Sequence, residues 1–248
     1  MHHLFVQAEQ LYTDYVHITG EDYHHIRNVL RMRPGEKVMV CVGDDREYEC
    51  SIVGFDMEAE CVILQVEDVF GSARELPAKI TLFQGYPKKD KLEMIVQKAV
   101  ELGVSEIVPV MMKRCVVKLD ERKSAQRVER LNSIALGAAK QSKRGRIPEV
   151  TKIMSMAEAC EYATQMDYVI VPYENAEGMV YAKEIIRQAA DKKHIGVFIG
   201  PEGGFEASEV NQIEAVGGKT ISLGHRILRT ETAGLTILSL LMFLLERD

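Results

Sequence analysis

The chain predicts a small β-barrel followed by an α/β domain, a parallel sheet with helices on both faces. Three observations carry this. The first seventy residues alternate apolar and polar positions in short runs. From Lys79 onward, apolar runs alternate with stripes at helical spacing. In the last third, two glycine-bearing turns each follow an apolar run and open a helix. A length of 248 residues, 46% hydrophobic and 27% charged, suits one large or two modest soluble domains.

Within the barrel, Met1 to Phe5 lead directly into strand-like sequence, and no signal peptide is expected. A short helix is predicted from Asp22 to Met32, opened by Glu21-Asp22 and stopped by Pro34-Gly35. Residues 37–42, 46–53 and 60–66 read as strands, with turns at Gly43-Asp44-Asp45 and Gly54-Phe55-Asp56. Residues 70–77 read as a linker, which divides the chain into residues 1–72 and 73–248.

The second domain opens with a strand at 80–85. A helix at 88–102 carries Leu92, Ile95, Val96, Ala99 and Leu102 on one stripe and ends at Gly103. A strand at 104–112 and a basic helix at 124–142 follow. Then come a helix at 156–164, a strand at 168–171, a helix at 176–190, a strand at 195–199, a helix at 207–216, a strand at 220–223 and an apolar helix from Glu231. The apolar run 233–245 is too short to span a bilayer, so no membrane association is expected. Cysteines at 41, 50, 61, 115 and 160 form no C-x-x-C pair and read as buried reduced thiols of a cytoplasmic protein, with no metal site.

The net charge of −6 hides a segregation. From Lys113 to Arg146, eleven Lys/Arg, Lys118 among them, face only Asp120, Glu121 and Glu129, a local charge of +8 that leaves −14 elsewhere. Such a segment reads as a polyanion footprint, because three acids cannot neutralise eleven bases. The competing account is a solvated helix face laced with ion pairs.

Ligands of parallel sheets bind beyond the carboxyl ends of the strands, and three loops qualify: 172–174, 200–205 and 224–230. The stretch Ile199-Gly200-Pro201-Glu202-Gly203-Gly204-Phe205 fits neither nucleotide fingerprint, since G-x-G-x-x-G and G-K-[ST] are both absent. Glu202 stands where a helix N-terminus would otherwise attract an anion. The ligand is expected to be purine-sized, uncharged or cationic, and held by backbone groups, properties that S-adenosylmethionine has. In the second loop, LGHRILRTETAGL (223–235), Ile227 and Leu228 are apolar loop residues suited to walling a pocket. Arg229 either aims at a substrate or pairs with Glu231, and Thr230 reads as the helix cap.

These two motifs in register resemble the bacterial 16S rRNA (uracil-N3) methyltransferases of the SPOUT superfamily. QKAVELGVSEIVPV (97–110), RCVVK (114–118), AAKQSKRGRIPEV (138–150) and HHIRNVLRMRPGE (24–36) are similar to further family blocks, in order, over essentially the whole chain. Where the family often has a tryptophan after the arginine here numbered 130, this chain has Leu131. The resemblance implies a PUA-like β-barrel that binds RNA, a SPOUT domain whose last third is a trefoil knot, and a homodimer with each cofactor site near the subunit interface. It places S-adenosylmethionine against Pro172, Tyr173, Ile199, Gly200, Pro201, Gly203, Leu223, Gly224, Ile227, Leu228 and Thr230.

The implied substrate is a uridine of 16S rRNA in the small ribosomal subunit. N3 of uracil must lose a proton before it attacks a methyl group, and charge then spreads over O2 and O4. Arg229 is the first choice to stabilise that charge with two parallel donors; Glu202 and Glu231 are secondary candidates for the base, each with turn stabilisation as the competing and preferred account. RNA contacts are expected from Arg27, Arg31, Arg33, Lys88, Arg114, Lys140 and Arg144. Two alternatives stand beside this account: a SPOUT enzyme acting on tRNA or a ribose 2′-hydroxyl, and a non-catalytic RNA-binding protein.

Overall fold

The period-two pattern of the first seventy residues folds, in the computed structural model, as β1 (His2–Phe5), β2 (Tyr15–Ile18), β3 (Lys37–Cys41), β4 (Arg46–Asp56) and β5 (Cys61–Gly71). These form one sheet in the order β1-β3-β4-β5-β2, with β1 parallel to β3 and the other pairs antiparallel. The structure describes residues 1–43, 46–71, 74–117, 120–176 and 178–246, with only the backbone of Glu121. The turn residues Asp44 and Asp45, the 72/73 division and Lys118 lie outside them.

The core of this unit gathers inward-facing residues of every strand, among them Leu4, Val16, Val38, Val40, Ile52, Val62 and Leu64. Tyr23 and Ile26 close it from α1 (Glu21–His24) and the π-helical turn His25–Val29. The helix expected to reach Met32 stops earlier. Arg31 takes a φ of +52°, which ends the helical run, and the Met32 N–H donates back to the Ile26 carbonyl at 3.1 Å. Strand β2 was not predicted, and β5 runs on into the expected linker. Residues Ala139–Ile147 group with Met1–Glu75 in this unit. The Glu75 carboxylate ties them in: it pairs with Arg144 and accepts the backbone N–H groups of Gly145 and Arg146 at 3.1 and 3.3 Å.

The second unit comprises Leu76–Ala138 and Pro148–Asp248. Its strands are β6 (Lys79–Gly85), β7 (Glu106–Met111), β8 (Glu149–Val150), β9 (Met154–Ser155), β10 (Tyr168–Pro172), β11 (His194–Ile199) and β12 (Gly218–Ile221). The order is β12-β10-β11-β6-β7-β8, with β9 beside β7, and every pair is parallel. The helices are α2 (Lys91–Glu101), α3 (Glu121–Ser142), α4 (Met156–Ala163), α5 (Met179–Gln188), α6 (Ala207–Ala215) and α7 (Thr230–Leu245). Near-continuous apolar strands are what a sheet covered on both faces requires. Phe83 and Phe198, paired in register, stack at 4.2 Å with a 7° interplanar angle.

Among the boundaries that differ from prediction, three have clear local reasons. Helix α2 begins at Lys91 because Lys89 adopts a φ of +58°, which breaks the helical run before Asp90 at the cap position. Its end at Gly103, with φ +87°, is as expected. Strand β12 starts two residues early because Gly217, at φ +88°, turns the chain straight out of α6. Helix α7 begins at Thr230, so Arg229 is its cap position and Thr230 is not.

Candidate active site

The expected loops converge. After β10, β11 and β12, residues 172–174, 199–205 and 222–230 enclose a cavity of ≈ 800 Å³, a volume typical of a small-molecule site. All eleven residues assigned to the cofactor line it, as do Glu202 and Arg229.

The glycine loop is held from several sides. Thr230 Oγ1 donates to the Gly200 carbonyl at 2.6 Å and accepts from the buried Gln84 Nε2 at 2.9 Å. Arg114 Nη1 donates to the Gly203 carbonyl at 2.8 Å. Gly85 permits a close approach: a Cβ there would lie 2.6 Å from Pro201 N. Gly204 turns the chain at φ +69° and closes the loop through an N–H···O bond to Pro201 at 2.9 Å. In the arginine loop, Gly224 has φ +114°, and its N–H donates to Ser222 Oγ at 3.2 Å. Cβ atoms built at Gly204 and Gly224 would meet nothing within 4 Å, so both loops leave space beside their backbone. The Tyr173 N–H bonds the Ile221 carbonyl at 2.9 Å, and its ring meets Phe205 edge-on at 6.5 Å.

The two carboxylates share a partner. Lys91, which the sequence reading missed, lies between them: its Nζ is 3.2 Å from Glu202 and 3.3 Å from Glu231. Glu202 also accepts the Lys88 N–H at 3.1 Å. Burial raises the Glu202 pKa, but its own N–H, the Lys88 N–H and the Lys91 ammonium together outweigh it and hold the carboxyl below its usual range. A carboxylate so stabilised is a poor proton acceptor. Both Glu202 and Glu231 pair with Lys91, which favours a turn-stabilising role over that of a base. Among the described residues Arg229 does not pair with Glu231, the alternative account of this arginine. Arg229 is exposed at the cavity wall and, among the described residues, makes no side-chain hydrogen bond or ion pair.

The residues expected to meet RNA divide. Arg31, Arg33, Lys88 and Arg114 are exposed, and Arg27 is half-buried, donating to the Tyr23 hydroxyl at 2.6 Å. Lys140 pairs with Asp22 at 3.1 Å. Arg144 contradicts the expectation. It is 3% exposed and spent on Glu75, so it cannot reach a phosphate. The charge count also needs correction. Lys113 pairs with Glu206, Arg127 with Asp90 and Glu93, and Arg130 with Glu93. The neutralising acids come from distant parts of the chain, which a count within the segment cannot see. No group of three or more His, Cys, Asp or Glu among the described residues could hold a metal ion. All five cysteines are free thiols, and burial pushes Cys50 up to about 12.

Comparison with known proteins adds a family. Residues 74–242 match an RNA methyltransferase domain, and residues 18–56 match an RNA methyltransferase PUA domain. The ribosomal RNA small subunit methyltransferase E of Bacillus subtilis is 37% identical over 233 residues, covering 92% of this chain and 90% of that protein. The protein of the same name from Mesomycoplasma hyopneumoniae is 29% identical, covering 96% and 98%. The Neisseria gonorrhoeae protein of that name, solved with bound S-adenosyl methionine, superposes with a TM-score of 0.81 at 28% identity over 98% of each chain. A Legionella pneumophila methyltransferase solved with bound SAM gives a TM-score of 0.80 at 30% identity, covering 97% of this chain and 96% of that one.

Proposed function

The chain belongs to the RNA methyltransferase family that includes the small-subunit methyltransferase E proteins, and from that premise we propose that it methylates N3 of a specific uridine in 16S rRNA, using S-adenosylmethionine. The observation that carries the reading is the cavity at the carboxyl ends of β10, β11 and β12, with an unpaired Arg229 at its wall. The donor set fits the cofactor: glycine backbone faces open space at Gly204 and Gly224, and Ile227 and Leu228 supply apolar wall. The three loops would hold it, and it would supply a methyl group activated by a positively charged sulfur.

Arg229 offers two parallel donors to the charge that develops on the uracil oxygens as N3 loses its proton. Because both nearby carboxylates are engaged by Lys91, the proton leaves to solvent while Arg229 stabilises the anion. Residues 1–72 act as a PUA-like barrel that binds RNA, and residues 73–248 are the SPOUT domain with its trefoil knot. Arg27, Arg31, Arg33, Lys88, Arg114 and Lys140 face the RNA. A homodimer is supported by Val180, Phe243 and Ile227, which are 87%, 85% and 85% exposed on α5, α7 and the arginine loop. The compartment is the cytoplasm, where the small subunit is assembled. No helix among the described residues is long and apolar enough to cross a membrane.

The test is incubation with labelled S-adenosylmethionine and small ribosomal subunits, followed by nucleoside analysis. N3-methyluridine in 16S rRNA is expected. Label in tRNA or on a ribose 2′-oxygen would transfer the chemistry to another substrate, and no label would leave only RNA binding. Arg229→Ala should lower the single-turnover rate by about 10²–10³ with cofactor affinity nearly unchanged.

A further inference from the structure

Arg229 is two residues from Glu231 and shares a cavity wall with Glu202, yet it pairs with neither. A guanidinium that pairs with a carboxylate is blunted toward any other anion. Both carboxylates are instead held by Lys91. This residue opens α2, lines the same cavity, and is 30% exposed in its side chain. Its ammonium lies 3.2 Å from Glu202 and 3.3 Å from Glu231, whose side chains are 25% and 15% exposed. Burial lowers the Lys91 pKa, but hydrogen bonds to Glu202 and Glu231 raise it further, so the ammonium stays charged. One cation thus occupies two anions.

We propose that Lys91 is a positioning residue that keeps Arg229 free, by engaging the two carboxylates that would otherwise capture its guanidinium. The inference rests on the reading of Arg229 given above. It differs from a purely mechanical account, in which Lys91 is a strut between the glycine loop and the start of α7. A strut and a decoy for carboxylates predict opposite results when the carboxylates are removed together with the lysine. Loss of the strut's remaining partners cannot restore anything. Loss of a captor releases what it captured.

The experiment measures single-turnover methylation of small ribosomal subunits at saturating cofactor, with cofactor affinity by calorimetry and melting temperature for each full-length variant. Lys91→Met should lower the rate about tenfold, less than the loss of the guanidinium itself. Lys91→Arg, which preserves the charge and two donors, should stay within about threefold of wild type. Adding Glu202→Gln and Glu231→Gln to Lys91→Met should recover most of the lost rate. In an Arg229→Ala background, Lys91→Met should cost nothing further, since effects through a shared partner do not add. A Lys91→Met/Glu202→Gln/Glu231→Gln protein no faster than Lys91→Met, or a full additional loss in the Arg229→Ala background, would overturn the inference. A near-wild-type rate for Arg229→Ala alone would instead overturn the role given to Arg229, so the two failures are separable.

Discussion

Thr230 carries more of the site than its expected role as a helix cap allowed. It is 5% exposed, and its hydroxyl both donates to Gly200 and accepts from Gln84. Thr230→Val keeps the volume and the branching but deletes that hydroxyl. The Gly200 carbonyl then loses its donor, at a cost of about 1–3 kcal/mol for a polar group left unpaired, and the Gln84 bond removes about 1 kcal/mol more. Gln84 is fully buried and its Oε1 has no partner among the described residues, so its amide has little freedom to compensate. The expected loss is about 2–4 kcal/mol, which for a chain of this size lowers the melting temperature by roughly 4–16 °C. Because Gly200 walls the cavity, cofactor affinity should fall with it, whereas Thr230→Ser keeps both bonds and should bind within about twofold of wild type. Thermal melts and calorimetric titration with S-adenosylmethionine read both effects. A valine variant that melts within 2 °C of wild type and binds equally well would refute the claim that this hydroxyl organises the loop.

Gly224→Val should lose cofactor binding because φ +114° excludes a branched side chain and the space beside it is the cavity; retained affinity in a folded variant would remove this loop from the site. Arg144→Met should destabilise the protein by about 3–5 kcal/mol, since it strands a largely buried Glu75. Arg31→Glu with Arg33→Glu should instead leave stability nearly unchanged while weakening RNA binding and flattening its salt dependence, read by titration at several ionic strengths. Glu202, whose pKa is depressed in the fold, contributes stability that is present above the ordinary carboxylate range and lost as pH falls through its lowered value. Lys91, raised in the fold, contributes stability present below the ordinary lysine range and lost as pH rises through its higher value. A Glu202→Gln protein should therefore show a shallower acid limb in pH-dependent unfolding, and an unchanged limb would refute its pairing.

What the sequence made visible follows the reach of its signals. Strands such as 79–85 and 194–199 are largely apolar and bounded by turn residues, so local pattern alone locates them. The glycine and arginine loops were visible as strand-to-helix turns, and all the residues assigned to the cofactor line one cavity. Tyr15–Ile18 was missed because a four-residue edge strand offers too short an alternation. The π-helical turn was invisible because its sequence pattern is that of any amphipathic helix. Lys91, Arg144 and the partners of the basic segment could not be read at all. Each depends on a carboxylate that the fold brings from a distant position, and a window on the chain records charge but not who neutralises it. Glu202 stood out for its odd place in a glycine turn, but its partner decides what it can do.

The bond between Glu75 and the turn at 144–146 has a consequence for the time at which the chain can fold. The two sides lie 69 positions apart, so a growing chain exposes Glu75 well before Arg144 exists. At about 5–20 residues per second, the interval is roughly 3–14 s. Throughout it, the amino-terminal sheet lacks the cation that its carboxylate awaits, and the strands of the other unit are already emerging. An isolated fragment ending at Leu76 would reproduce that incomplete state permanently. A circular permutant that brings residues 139–147 close in sequence to residue 75 would abolish the delay, because the two segments of the unit would then be made together.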